Sequence, residues 1–141
     1  MKRRNERGSA AVEAVAGAAA FAAFCGLVAF AGQIAVAHQG VQAAASDAAR
    51  AASIARTAGT AQRDAEAAAR QGLGNHGLVC AATAVAIDVS GFAVPVGQPA
   101  WVSATVRCDV SSANLGLPID LGTVHVEETM RSALDTYRSR I

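Results

Sequence analysis

Residues 13–37 read EAVAGAAAFAAFCGLVAFAGQIAVA, and after the opening glutamate none of them is charged. At 1.5 Å per residue, residues 14–37 span about 36 Å as an α-helix, against about 30 Å of bilayer hydrocarbon. The stretch therefore predicts a helix that crosses a membrane. Lys2, Arg3, Arg4 and Arg7 precede it, opposed only by Glu6. Beyond it, as far as Arg50, that single cation is matched by Asp47. The cation bias predicts a cytoplasmic leader over residues 1–8, a transmembrane helix over 9–38, and everything after His38 outside the cytoplasm. The expected location is the cell membrane, single-pass, with the N-terminus inside.

The chain has 141 residues, a net charge of +1 and only 4% aromatic residues. Outside the apolar segment there is room for one small domain. Near-neutral charge and scarce aromatics argue against nucleic-acid binding. Alanine dominates the first half. It favours helix but buries little area, so the helical part is expected to lean on the bilayer or on partners. Ala14, Ala18, Ala22 and Gly26 recur every four residues, a small-residue stripe along which a second helix could approach closely. The abundance of alanine would also place such a stripe there by chance.

Ser9 is the expected N-cap, with helix running to about Arg56. Gln39, Gln42, Ser46, Asp47 and Arg50 form a polar side past the membrane; Ala43, Ala44, Ala48, Ala51 and Ile54 form a smoother one. Gly59 and Thr60 predict a break and a new N-cap, then a short helix over 61–71 with a Glu66–Arg70 pair. The extracytoplasmic helical segment is thus 39–72, ended by Gly72, Gly74 and Gly77.

From Leu78 the period becomes two. Thr83, Val85, Ile87 and Val89 alternate with Ala84, Ala86 and Asp88, and Val102, Ala104, Val106, Cys108 and Val110 alternate with Trp101, Ser103, Thr105, Arg107 and Asp109. Val124, Val126 and Met130 suggest a third strand. Gly91, Pro95, Gly97 and Pro99 mark one loop, Gly116 and Pro118 another. The β-rich domain is expected over 78–130, with a polar, frayed tail over 131–141. Trp101 is expected as a core residue at a strand edge, with a surface anchor as the alternative.

The fold class is therefore α+β: a long N-terminal helix, a short second helix and a three-stranded antiparallel meander packed on the helix. In a hairpin centred near Val94 and Pro95, Cys80 approaches Cys108, and an extracytoplasmic location favours a disulfide. Its loop would contribute roughly 3–4 kcal/mol by chain entropy. The first strand's apolar positions are odd whereas Cys80 is even, so either Cys80 precedes the regular strand or a bulge shifts the register. Two buried free thiols are the alternative. Cys25, inside the apolar run, reads as a small inert hydrophobe.

Gly8-Ser9 followed by Glu13 resembles the type IV prepilin processing pattern. The wider string Glu6-Arg7-Gly8-Ser9-Ala10-Ala11-Val12-Glu13 is similar to the TadE family of Tad (Flp) pilus minor pseudopilins in their high-GC Gram-positive form. Ala43-Ala44-Ala45-Ser46-Asp47-Ala48-Ala49-Arg50-Ala51-Ala52 resembles that family's juxtamembrane segment, and Leu134-Asp135-Thr136-Tyr137-Arg138 its ending. Residues 1–56 carry most of the likeness. It implies cleavage between Gly8 and Ser9 by a prepilin peptidase, and pairing of Glu13 with the new α-amino group of a neighbouring subunit. It also implies other Tad pilins, pseudopilins and platform proteins as partners. Pilins often carry an aromatic after that glutamate; this chain has Ala14. Read by itself, Glu13 is an anion in the first helical turns that snorkels to the interface.

Other readings make different predictions. Ala35-Val36-Ala37 could be a signal-peptidase site releasing a secreted protein from His38, although the apolar run exceeds an ordinary signal core. An uncleaved membrane anchor is a third possibility. His38, His76 and His125 lack metal-ligand spacing, and no nucleophile elbow, P-loop or dinucleotide fingerprint appears. Asp88, Asp109 and Asp120 near loops read as turn formers, and Glu127-Glu128 as a strand pair with one member facing water. The sequence thus points to assembly, without catalysis, metal, cofactor or small-molecule substrate.

Overall fold

The computed structural model describes residues 6–115, 122–137 and 139. Lys2, Arg3 and Arg4 of the leader, Pro118 and Asp120 of the second loop, and Arg138 fall outside that range. The elements are helix α1 (Glu6–Ile54), helix α2 (Ala58–Asn75), and strands β1 (Cys80–Asp88), β2 (Trp101–Ser111) and β3 (Thr123–Ala133). The α+β architecture is as expected. The chain divides into two compact units, Met1–Gln33 and Ile34–Ile141. The second unit is described first.

Its helical layer is built largely from alanine. Ala37, Val41, Ala44, Ala45, Ala48, Ala49 and Ala52 of α1 are buried, as are Ala61, Ala65, Ala69 and Leu73 of α2. Spacings of three and four keep each set on one face. The buried face of α1 differs from the expected one: Val41, Ala45 and Ala49 belong to it, whereas Ile54 is exposed. This rotation buries Val41 completely and leaves Ile54 at the helix end outside. Gln39, Gln42, Ser46, Asp47 and Arg50 are exposed, as their polarity requires. Between residues 37 and 52 most of the alanines of α1 are buried within the chain itself. Small side chains let α1 and α2 approach closely, and dispersion between the two surfaces replaces side-chain bulk.

Gly72 marks the closest point. A Cβ there would stand 3.0 Å from Ala44 Cα and 3.1 Å from Ala44 Cβ. Gly72→Val is expected to lower stability by about 1–3 kcal/mol through overpacking. A Cβ at Gly74, two residues on, would meet nothing within 4 Å. There Gly→Ala is expected to raise stability by about 0.5–1 kcal/mol through helix propensity. Thermal melts of the two variants should therefore shift in opposite directions.

Helix ends depart from the sequence reading. The described part of α1 runs from Glu6, so Ser9 lies inside the helix and is not its N-cap. α2 starts earlier than expected because Thr57, not Thr60, is the cap. The Thr60 N–H donates to Thr57 Oγ1 at 3.1 Å, and the Thr57 N–H donates to Thr60 Oγ1 at 3.2 Å. This reciprocal box satisfies donors that the helix itself leaves open. Gly59 consequently sits inside the first turn. The Glu66–Arg70 pair forms, at 3.7 Å. α2 continues through Gly72 and Gly74 and ends where Gly77 adopts φ +66°. The Leu78 N–H donates to the Leu73 carbonyl and the Gly77 N–H to the Gly74 carbonyl, the two bonds of a Schellman motif.

The strands form one antiparallel sheet in the order β1-β2-β3. Val102, Ala104, Val106, Cys108 and Val110 of β2 and Val126 of β3 face the helices and are buried. Val85 opposes Val106 and Ile87 opposes Ala104, which puts the odd positions of β1 on the same inner face. The register shifts between Cys80 and Ala82, so Cys80 opposes Val110 and joins the inner face despite its even number. The bulge is therefore the answer to the parity conflict. Cys80 and Cys108 are disulfide-bonded, with Cα atoms 5.3 Å apart.

On the outer face three directly opposed pairs join β2 to β3. Thr105 and Thr129 hydroxyls lie 2.8 Å apart, Arg107 Nε donates to Glu127 Oε2 at 2.6 Å, and His125 Nδ1 donates to Asp109 Oδ1 at 2.7 Å. Each such pair contributes about 0.2–1 kcal/mol. The bond to Glu127, and then its charge, raises the pKa of Arg107. Asp109 is thus a strand residue and not a turn former. Asp88 does form a turn, accepting from the Ser90 N–H at 2.9 Å, and that bond holds its carboxyl below the usual range.

β3 continues past Met130 to Ala133, and Leu134 is buried. The Leu134 N–H donates to the Ala100 carbonyl and the Gly97 N–H to the Thr136 carbonyl. Residues 131–133 therefore pair with β2, and Leu134 and Thr136 bond to the first loop, in place of the expected frayed tail. Trp101 is 57% exposed, contrary to the core placement expected for it. It begins β2 on the odd, outward parity, and nothing covers the outer face of the sheet among the described residues.

Candidate functional site: an exposed apolar helix with an acidic threshold

In the unit Met1–Gln33 the described structure is α1 alone. Helix runs through Gly8 and Ser9, the residues expected to flank a cut, and their side chains lie outside the description. Glu13 follows one turn after Ser9 and is exposed. Ala14, Ala18 and Ala22 are exposed too, and a Cβ at Gly26 would meet nothing within 4 Å. The residues of the expected small-residue stripe are thus uncovered within this chain, like the residues around them.

The large side chains are uncovered as well. Val12, Val15, Phe21, Phe24, Leu27 and Val28 range from 56% to 71% exposed. A helix apolar on every side gains nothing from water and requires lipid or other helices around it. From Ala10 to Ile54 the helix is long and apolar enough to cross a membrane, and none of its most apolar window is buried inside the protein. Cys25 is a free thiol on that exposed surface. Lone carboxylates within such a segment are costly unless they reach the interface or find a partner. Glu13 occupies the boundary between cationic leader and apolar run, where both outcomes are open to it.

Comparison of the chain with family models, with characterised proteins and with solved structures gives no match.

A contact between α1 and β3 joins the pairs that the sequence reading does not anticipate. His38 Nδ1 lies 3.0 Å from Glu128 Oε1, tying α1 to β3. Glu127 faces water and Glu128 the helical side, as the alternation of β3 requires. Glu128 shares parity with Val124, Val126 and Met130. A carboxylate on an apolar face needs a partner, and that parity is the available signal. Nearby, Ser132 Oγ donates to Ser53 Oγ at 2.9 Å, a second link between α1 and β3. Among the described residues no group of three or more His, Cys, Asp or Glu side chains could hold a metal ion.

Proposed function

We infer that this chain is a TadE-like pseudopilin, a non-catalytic membrane component of Tad (Flp) pilus assembly. One observation carries the reading. The Gly8-Ser9 pair and Glu13 stand at the head of a helix that exposes apolar side chains on every side. In this reading a prepilin peptidase cuts between Gly8 and Ser9 on the cytoplasmic face, where Lys2, Arg3, Arg4 and Arg7 hold the leader. Glu13 then meets the freed amine of a neighbouring subunit. Ala14, Ala18, Ala22 and Gly26 let that neighbour's helix approach, and the disulfide-clamped unit lies outside the cell membrane or on a surface pilus. The partners are other Tad pilins and pseudopilins and the Tad platform proteins.

One observation counts against a secreted protein cut after Ala37: the cut would remove Ala37, a buried residue of the Ile34–Ile141 unit, from the mature chain.

Sequencing the mature N-terminus from native membranes tests the reading: Ser9 supports it, His38 supports secretion, and Met1 an uncleaved anchor. Glu13→Ala is expected to leave cleavage intact while reducing recovery of the protein with pili in a pull-down. Normal recovery would remove the proposed role of Glu13.

A further inference from the structure

β1 is an edge strand, and its two edges differ in kind. One pairs with β2; along the other, nothing pairs with it among the described residues. Edge strands ordinarily carry charge or proline that discourages a further strand. β3, at the opposite side of the sheet, follows that rule with His125, Glu127, Glu128 and Arg131. β1 departs from it over most of its length: its one charge is Asp88 at the last position, and from Cys80 to Ile87 it reads CAATAVAI, with no charge and no proline. Ala82, Thr83, Ala84 and Ala86 are exposed. A row of unpaired N–H and C=O groups takes a backbone in the extended conformation, which is the chemistry of β-augmentation.

Each face of this edge has a depression beside it. On the helical side a groove of about 430 Å³ runs between α2 and β1, lined by Arg70, Leu73, Leu78, Val79, Cys80 and Thr83. Val79, at its rim, is 66% exposed. On the outer side a smaller trough of about 260 Å³ lies over Ala84 and Ala86, bounded by Thr105, Arg107 and Glu127. The side chains of an added strand alternate between these faces. The groove side suits an apolar side chain, and Arg70 is the only charge lining it among the described residues. The outer side suits a longer polar one, because the alanines leave room and Arg107 and Glu127 already satisfy each other.

A second copy of this chain fits poorly. Of the three strands, α2 packs chiefly against β1. Strands pair about 4.8 Å apart, whereas packed helices need about 8–10 Å. Pairing β1 with β1 of a second copy would bring the two α2 helices too close. A lone strand without a covering helix meets no such obstacle.

We propose that the free edge of β1, with its groove against α2, binds an extended, uncharged segment of a partner protein, apolar at alternate positions. The assignment stands on the Ile34–Ile141 unit alone and does not depend on the pilus reading.

A random ten-residue display library selected on the full chain in nanodiscs tests it. Enriched peptides are expected to alternate apolar with polar residues, to lack charge on the apolar parity, and to slow amide exchange in Cys80–Asp88 but not in Thr123–Ala133. Thr83→Lys places a charge at the exposed mouth of the groove and is expected to lower retention of those peptides at least tenfold. The variant's disulfide and far-UV dichroism, unchanged, show that it is folded. No enrichment, enrichment without alternation, or retention unaffected by Thr83→Lys would each overturn the proposal. So would efficient Ala84→Cys cross-linking between two copies, because the edge would then be filled by the chain itself.

Discussion

Replacing Cys80 and Cys108 together by alanine is expected to destabilise the Ile34–Ile141 unit by about 3–4 kcal/mol. The two cysteines are separated by 28 positions, and the bond removes that loop's freedom from the unfolded chain. The folded side of the balance is thin. Buried side chains here are chiefly alanine and valine, with Val41, Val102, Val106 and Val126 the largest hydrophobic ones fully enclosed. Small domains have total stabilities of about 5–15 kcal/mol, so a loss of this size is a large part of the whole. For a unit of this length the midpoint of thermal unfolding should fall by about 15 °C or more. Urea titration of the double variant beside the parent measures the difference directly. A change below about 1 kcal/mol would show that the alanine–valine core holds without the bond, outside the usual range for such a loop. The double variant is preferable to a single one, because Cys108 is fully buried and a lone thiol left beside it would be free to pair elsewhere.

Gly8→Leu is expected to abolish maturation, leaving a protein that keeps its leader. The argument is steric and local. A peptidase must reach the backbone on both sides of the bond it cuts, and glycine gives that access on the leader side. Gly8 lies within α1, so the bond must also leave the helix to be cut. Glycine lowers that cost, since it is among the poorer helix formers, whereas leucine is among the better ones. Both effects act in the same direction. Mass analysis of protein from native membranes reads the result, and Ala19→Leu, in the exposed apolar part of α1, serves as control. A control of mature mass beside a Gly8→Leu variant of precursor mass fits the proposed cut. Mature mass in both places the cut elsewhere and removes the basis for Glu13 meeting a new amine.

Local chemistry makes much of this legible in advance. The apolar helix, the change of period at Leu78, the meander and the cysteine pair all follow from contacts close in sequence or from simple alternation. Helix ends are less legible because caps compete. Thr57 and Thr60 are both good cap residues, and the reciprocal bond between them decides in favour of the earlier one. Ser9 reads as a cap because nothing local distinguishes a serine that starts a helix from one inside it.

The candidate site divides the same way. Its residues are all legible in the sequence, because a glycine, a lone glutamate and a run of small residues are visible without a fold. Glu128 is not: its partner His38 is 90 positions away, and no local pattern joins them.

By itself, the amino-acid order determined the elements, their polarity and the presence of a segment fit for a bilayer, because periodicity and charge act over a few residues. Tertiary structure alone decided the rotation of α1 about Val41, the near-contact of Gly72 with Ala44, the bulge that admits Cys80 to the inner face, and the bare edge of β1. Each depends on the distance between elements remote in sequence. That distance is set by close packing and by strand register, neither of which any single segment carries.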